Sequence, residues 1–280
     1  MVALNVGSIN SLARSTINNT YNKEVSEQQM IDAIRSTIYQ IETWDTTTVR
    51  ASTPMLELCK FIKRETDTTV IFSGEGSDEA SGSYMYFHNA PSPGAFLNET
   101  KRLMTDLCYF DVLRCDRSTA GAGLEVRVPF LDKEFLRYYM SIDPRKKMTN
   151  GNIEKFLLRK AFDDGKLLPK EVLWRVKEGM SDGVSSQKKG WFEIIQEKAD
   201  SIISDEELAN SNYTKNKPKT KESLWFRNMF NEIYNGQDHV IPYYWLPKWS
   251  GDVVEASARV LNCYSHSTLK EEDTETLSKY

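Results

Sequence analysis

The segment from Thr68 to Glu79 runs a short β-branched and aromatic stretch directly into a loop that mixes glycines with acids. Its first part, up to Phe72, has the composition and length of a buried strand. Gly74 and Gly76 allow the backbone to turn sharply and to approach a ligand closely. Because ligands bind at the carboxyl ends of strands in open α/β sheets, this loop is a candidate binding site.

Three acids give the loop its charge: Glu75, Asp78 and Glu79. Such a set would repel a triphosphate unless Mg²⁺ lay between the carboxylates and the phosphates. The loop therefore predicts a metal–nucleotide complex or a ligand with an amino group. The alternative is a plain strand-to-helix turn with Ser77 or Asp78 as N-cap, and the loop alone does not separate the two.

The composition of the chain excludes several classes of function. A net charge of −4 over 280 residues argues against a nucleic-acid partner held by phosphate contacts. No apolar run approaches the roughly 18 residues that a membrane span needs. The four cysteines lie far apart without a Cys-x-x-Cys pair, which predicts neither a zinc site nor a disulfide framework and favours a cytoplasmic location.

Apolar spacing predicts helices on both sides of this strand. Ser26 and Gln29 form a capping-box pattern before apolar residues at helical spacing, so a helix should end near Glu42. Pro54 suits a first helical position of a buried helix that runs through Ile62. Beyond Gly94 the chain is predicted to be helical, in stretches marked by Leu103/Leu107/Phe110, Asp132–Met140, Ile153–Ala161, Pro169–Trp174, Trp191–Ala199 and Lys221–Tyr234.

Two further segments, Leu124–Asp132 and Trp174–Gly183, place charged residues beside apolar ones in short, turn-bounded runs. Together with the loop after Phe72, they resemble asparagine synthetase. The resemblance runs from about Glu42 to about Arg259, and the segments Thr220-Lys221-Glu222 and Tyr244–Trp249 look like the eukaryotic type of that family.

The resemblance implies an α/β fold. A partial adenine-nucleotide α-hydrolase-like, doubly wound sheet would form the front, with a mostly α-helical part behind. It also implies a reaction in which ATP and Mg²⁺ activate the β-carboxylate of aspartate as β-aspartyl-AMP, which ammonia then attacks. We expect a poorly ordered segment over residues 1–24, the synthetase domain over 25–266 and a disordered tail over 267–280.

The same resemblance assigns roles within the nucleotide end of the site. Glu75 takes the position of the carboxylate that binds ammonium and removes its proton. Lys177 matches the lysine that faces the phosphates. Ser73 and Gly74 would contact the nucleotide, and Asp78 would lie near the metal or the substrate amino group.

Other residues are implied on the substrate side. Asp182 matches a Ser-Asp-Gly loop that shapes the site, and Glu125, Arg127 and Asp132 line the aspartate side in relatives. An equal alternative for these last three is a structural ion-pair network in which Arg127 bridges two carboxylates. The chain departs from relatives at Ala80–Ser83 and at Gly179-Met180, and both changes shrink or loosen the lining of the site.

Two motifs of the family are absent from the sequence. Val2 stands where family enzymes expose a nucleophilic Cys, and Ser-Gly-Gly, which opens the pyrophosphate loop, occurs nowhere. We therefore expect the chain to lack the glutaminase domain and the first strands of the sheet. The strand at Val70–Phe72 would then have an unpaired edge, which favours self-association or pairing with a full-length subunit.

Three hypotheses about function remain open from the sequence. The first is an amidating enzyme to which another polypeptide supplies the missing parts. The second, which we favour for the chemistry of this chain alone, is a non-catalytic form that binds aspartate, AMP or a full-length subunit. The third is another adenylating enzyme such as a β-lactam synthetase, and the segment around Trp245 argues against it.

Overall fold

A computed structural model of the chain describes residues 23–149, 153–175, 177–185 and 188–262. Most of the N-terminal segment predicted over residues 1–24, and all of the tail predicted over 267–280, lie outside these ranges. No helix among the described residues is both long enough and apolar enough to cross a membrane.

The described chain is mixed α/β and mostly helical. Its α-helices are α1 (Glu27–Ile41), α2 (Thr46–Glu65), α3 (Ser77–Ser81), α4 (Pro93–Asp106), α5 (Asp111–Gly121), α6 (Lys133–Ser141), α7 (Pro144–Lys147), α8 (Phe156–Ala161), α9 (Lys170–Leu173), α10 (Met180–Gly183), α11 (Trp191–Asp200), α12 (Asp205–Ala209) and α13 (Lys221–Ile233). Short 3₁₀ helices span Met85–Asn89, Leu107–Tyr109, Pro129–Leu131 and Ala258–Val260.

The predicted start and end of α1 are confirmed. The Ser26 side chain accepts a hydrogen bond from the Gln29 N–H, and the Gln29 side chain accepts one from the Ser26 N–H, which completes the capping box. Glu42 ends the helix in the left-handed region at φ 54°. The apolar face of α1 packs into a core shared with α11 and α13.

The prediction that Pro54 opens a helix is wrong, because α2 begins at Thr46 and Pro54 lies inside it. Asp45 caps α2 by accepting a hydrogen bond from the Thr48 N–H at 2.8 Å. A proline inside a helix leaves the carbonyl four residues earlier without its usual donor. Here that carbonyl belongs to Arg50, and the indole N–H of Trp191 donates to it at 3.0 Å. A tertiary contact thus replaces the missing helical bond.

Two strands, β1 (Val70–Phe72) and β2 (Glu125–Arg127), pair in parallel, with Ile71 opposite Val126. Among the described residues β1 has no second neighbour. The prediction of a buried strand is wrong for its outer positions, since Phe72 is 76% exposed and Val70 43% exposed. Ile71 points the other way and packs against the buried cluster that includes Cys59 and Leu124.

The helix predicted through Leu103, Leu107 and Phe110 is split. Helix α4 ends at Asp106, a 3₁₀ turn follows, and Phe110 leaves helical geometry with ψ −97° before α5 begins. Leu103 and Phe110 nevertheless belong to the same buried cluster. The spacing of Leu103 and Phe110 therefore reflects burial in one shared core and does not indicate a continuous helix.

The remaining helical predictions hold with shifted ends. Asp132 caps α6, Pro169 precedes α9, and the stretches from Trp191 and Lys221 form α11 and α13. The stretch predicted from Ile153 becomes helical only at Phe156, where α8 begins. Helix α8 starts late because the residue before it adopts a left-handed backbone conformation.

Candidate functional site

The loop after β1 is fixed to β2 and turns at a glycine. The Ser73 N–H donates to the Arg127 carbonyl at 2.9 Å, which extends the strand pairing by one residue. Gly76 has φ 84°, and a Cβ at this position would lie 2.2 Å from Leu131 Cδ2, so both strain and contact require glycine there. Gly76 itself is the N-cap of α3, and the prediction of Ser77 or Asp78 in that role is wrong.

Glu75 is held by an arginine from α5. Its Oε2 accepts a hydrogen bond from Arg114 Nη2 at 2.6 Å, and Arg114 Nη1 also donates to Asp111 Oδ1 at 3.2 Å. Burial raises the pKa of Glu75, while Arg114 opposes that rise. Burial and the contact with Arg114 therefore act on the pKa of Glu75 in opposite directions, and burial is the larger effect.

Asp78 brings two lysines together from distant parts of the chain. Its Oδ1 lies 2.8 Å from Lys155 Nζ, and its Oδ2 lies 3.9 Å from Lys177 Nζ. The Ser83 hydroxyl also donates to Asp78. Burial would raise the pKa of Asp78, but Lys177 and Lys155 outweigh burial and hold it well below its usual range. One ionised carboxylate thus faces two ammonium groups.

The structure adds a buried acidic group that the sequence reasoning did not assign. Glu79 is 2% exposed, accepts a hydrogen bond from the Tyr84 hydroxyl and lies against Asp111. Burial, followed by the charges of Asp111 and Asp78, raises the pKa of Glu79 well above its usual range. We call Glu75, Glu79, Tyr84, Asp111 and Arg114 the Glu79 cluster. The Asp-x-x-Arg spacing at the start of α5 was the one available signal for it, because residues three apart share a helix face.

Lys177 and Asp182 lie on the other wall of the site. Lys177 Nζ is 5.0 Å from the centre of the Tyr84 ring, a cation–π contact. Asp182, in α10, is 5% exposed and accepts a hydrogen bond from the Ser257 hydroxyl at 3.1 Å. Both side chains line a cavity of about 40 Å³ together with Trp245. That volume suits ordered water and is too small for a nucleotide.

Glu125, Arg127 and Asp132 have partners of their own. Arg127 pairs with Glu125, and the two side chains are 60% and 55% exposed. Asp132 caps α6, accepting hydrogen bonds from the N–H groups of Glu134 and Phe135 at 2.9 and 3.0 Å. Arg127 and Asp132 line an open groove of about 470 Å³ at the ends of the two strands.

The residues present fit a nucleotide phosphate better than a metal cage. A Cβ built on Gly74 has no atom within 4 Å, so a ligand can approach the loop backbone there. Lys155 and Lys177 supply positive charge at Asp78, four residues further along the chain. Within the described ranges no three His, Cys, Asp or Glu side chains form a possible metal site. Mg²⁺ in nucleotide sites is commonly held by one or two carboxylates together with substrate phosphates.

Comparisons with known proteins identify the family of the chain. The family model for asparagine synthase matches residues 10–99 and 92–259. A glutamine-hydrolyzing asparagine synthetase from Gallus gallus is 47% identical over 241 residues, which are 85% of this chain and 43% of that protein. The enzyme of the same name from Homo sapiens is 46% identical over the same shares. The chain therefore spans less than half the length of these relatives. At this identity and coverage, the chain belongs to the asparagine synthase family.

Proposed function

We propose that this chain is a nucleotide- and aspartate-binding part of an asparagine synthetase, acting in the ATP-dependent amidation of aspartate through a β-aspartyl-AMP intermediate. The observation that carries the proposal is the convergence of Lys155 and Lys177 on Asp78, directly after the loop that holds Glu75. Two ammonium groups that converge on one residue just after a glycine loop are suited to a polyphosphate. We further propose that β1 and β2 belong to an adenine-nucleotide α-hydrolase-like sheet.

Within this proposal, the residues in and around the loop have different roles. Ser73 and Gly74 contact the nucleotide, and Lys177 stabilises the negative charge that develops on the phosphates. Mg²⁺, when bound with ATP, supplies further charge neutralisation. Asp78 keeps the two lysines at the phosphate side, while Asp182 shapes the opposite wall.

Glu75 is proposed as the base for the attacking nitrogen. Ammonia attacks only in its unprotonated form, so a carboxylate must accept the proton from ammonium or from the adduct. A raised pKa brings Glu75 closer to the range in which a base is efficient, and the contact with Arg114 keeps it oriented. Glu125, Arg127 and Asp132 are proposed for the aspartate side, and the exposed groove that Arg127 and Asp132 line supports that assignment.

Binding of ATP by the purified 280-residue chain tests the proposal by titration calorimetry. Lys177→Ala should weaken ATP binding about 10- to 100-fold, since a hydrogen bond to a charged group typically contributes about 1.5–3 kcal/mol. Lys101→Ala, on the exposed face of α4, is the matched control and should leave affinity unchanged. Glu75→Gln should also retain ATP affinity, because Glu75 faces the nitrogen donor. A wild-type chain that binds no ATP would contradict the proposal.

The edge of β1 favours a second candidate function, in which the chain pairs with another subunit or with itself. Phe72 is 76% exposed on a parallel strand with no second neighbour among the described residues. Parallel strands are normally covered on both sides. Light scattering after size-exclusion chromatography should show concentration-dependent association, and Phe72→Lys should reduce it. A monomer at tens of micromolar, with no effect of the substitution, would remove this candidate.

A further inference from the structure

Lys155 reaches Asp78 from a backbone conformation that its residue type disfavours. It has φ 60° and ψ 26°, in the left-handed region, and immediately precedes α8. A residue with a Cβ occupies this region only when its surroundings hold it there. Its side chain is 18% exposed and its ammonium group lies 2.8 Å from Asp78 Oδ1.

The neighbouring residue, Glu154, supplies the anchor. Its side chain is 1% exposed, and its Oε1 lies 2.7 Å from His88 Nε2. The second oxygen, Oε2, is buried and has no hydrogen-bond partner among the described residues. On the other side, the Glu154 carbonyl accepts a hydrogen bond from Arg159 Nε at 2.9 Å. A buried carboxylate with one side-chain partner depends strongly on that partner.

His88 connects this anchor to the far wall of the site. It lies in the 3₁₀ helix Met85–Asn89, which begins directly after Tyr84. Tyr84 contacts Glu79 and lies beneath Lys177. The Nδ1 of His88 lies 3.3 Å from the Thr149 hydroxyl, so both ring nitrogens are engaged. The His88–Glu154 contact thus joins the segment that supports Lys177 to the segment that carries Lys155.

We propose that the His88–Glu154 pair is a positioning device for Lys155. The pair holds the strained backbone before α8 so that the Lys155 ammonium stays on Asp78, across from Lys177. In this proposal, His88 and Glu154 contact no ligand and act only through Lys155. With both lysines held at Asp78, the site selects a ligand with adjacent phosphate groups, a selection that rests on the proposed function above.

Lysine labelling tests the positioning directly in the 280-residue chain. Reductive methylation followed by mass spectrometry measures how accessible each amine is. Glu154→Met keeps the volume but loses the hydrogen bond, and it should raise the labelling rate of Lys155 about tenfold, within the range that losing one such contact produces. Glu154→Gln keeps an acceptor for His88 and should restore a rate close to wild type. Lys101 is the internal reference, and its rate should not change.

The opposite results would overturn the proposal. Equal Lys155 labelling in the Met and Gln variants and in wild type would show that the pair does not hold this residue. His88→Gln provides a second variant from the other side of the contact. If all three variants lose cooperative unfolding, the pair is a general structural element and the positioning proposal fails. These readouts need no activity, so they decide the inference even if the chain binds no nucleotide.

A double-mutant cycle with inorganic pyrophosphate as ligand then links the device to the site. If Glu154 acts through Lys155, Glu154→Met should weaken pyrophosphate binding about tenfold in the wild-type background and have no effect in a Lys155→Ala background. Additive effects of the two substitutions would instead assign Glu154 to general structure. A wild-type chain that binds no pyrophosphate would contradict the proposed function, while the labelling result would still stand for or against the positioning role.

Discussion

Two buried charge clusters in this chain look alike by composition and differ in how their charges are matched. One, the Arg50 cluster, consists of Arg50, Glu222 and Glu255. Arg50 Nε donates to Glu222 Oε1 at 2.7 Å, and Arg50 Nη2 donates to Glu255 Oε2 at 3.0 Å. The Arg50 and Glu222 side chains are 3% and 0% exposed. The other is the Glu79 cluster beside the candidate site.

In the Arg50 cluster, each carboxylate contacts the guanidinium. Burial lowers the pKa of Arg50, but Glu222 and Glu255 raise it overall. Burial also raises the pKa of Glu222, which Arg50 opposes, whereas Arg50 outweighs burial at Glu255 and lowers its pKa. In the Glu79 cluster, by contrast, Glu79 and Asp111 face each other, and the pKa of Glu79 is raised well above its usual range by burial and by that neighbour. Burial of charge alone therefore does not mark a site. Carboxylates that face one another beside an open loop are a better mark of a site, because they can exchange protons.

The largest expected effect comes from a substitution that breaks the Arg50 cluster. Arg50→Met leaves Glu222 and Glu255 buried without their cation, and it should lower the free energy of unfolding by about 3–5 kcal/mol. Urea unfolding followed by circular dichroism measures the change. Arg137→Met, at a side chain that is 72% exposed, is the control and should change stability by less than about 0.5 kcal/mol. A loss below about 1 kcal/mol in Arg50→Met would show that the cluster is hydrated and not structural.

A smaller effect concerns Asp45, whose pKa is shifted by charges from both clusters. Burial raises the pKa of Asp45 to about 6; Asp111 adds to that rise, and Arg50 opposes it. The folded state therefore binds more protons than the unfolded state between the ordinary pKa of 3.8 and about 6, and stability from this group falls as pH rises through that window.

Asp45→Asn keeps an N-cap acceptor for α2 and removes the titration. Relative to wild type, the variant should gain on the order of 2 kcal/mol between pH 4 and pH 7. Melting temperatures at intervals of pH measure this gain. Asp116→Asn, on an exposed position of α5, is the control. Parallel pH profiles for Asp45→Asn and wild type would mean that water reaches Asp45 and that the two clusters do not meet there.

The smallest expected effect concerns an exposed ion pair, in contrast to the two buried clusters. Arg127 and Glu125 form an ion pair on the surface of β2, and such pairs typically contribute less than 1 kcal/mol. Arg127→Ala should change the free energy of unfolding by at most about 0.5 kcal/mol. Chemical denaturation is sufficient to measure it. A larger loss that appears only at high protein concentration would reveal that this surface is buried in an assembly.

Much of the helical part could be predicted, because its signals are local. The capping box at Ser26, the cap at Asp132 and the periodicity of Trp191–Asp200 each involve residues within a few positions of one another. Pro54 was misjudged because the donor that compensates for it, Trp191, lies in a helix far along the chain. A local sequence pattern cannot predict a hydrogen-bond partner that lies so far along the chain.

The sequence by itself determined the family, the glycine-bearing loop after β1 and the residue types that the loop offers. Only the tertiary structure decided which of them meet: Glu75 with Arg114, and Asp78 with Lys155 and Lys177. The physical reason is that pKa and charge pairing depend on distances between segments that are remote along the chain. Local propensity fixes where a helix starts or a loop turns, whereas burial and the contacts between elements fix which carboxylate is paired and which is left to titrate.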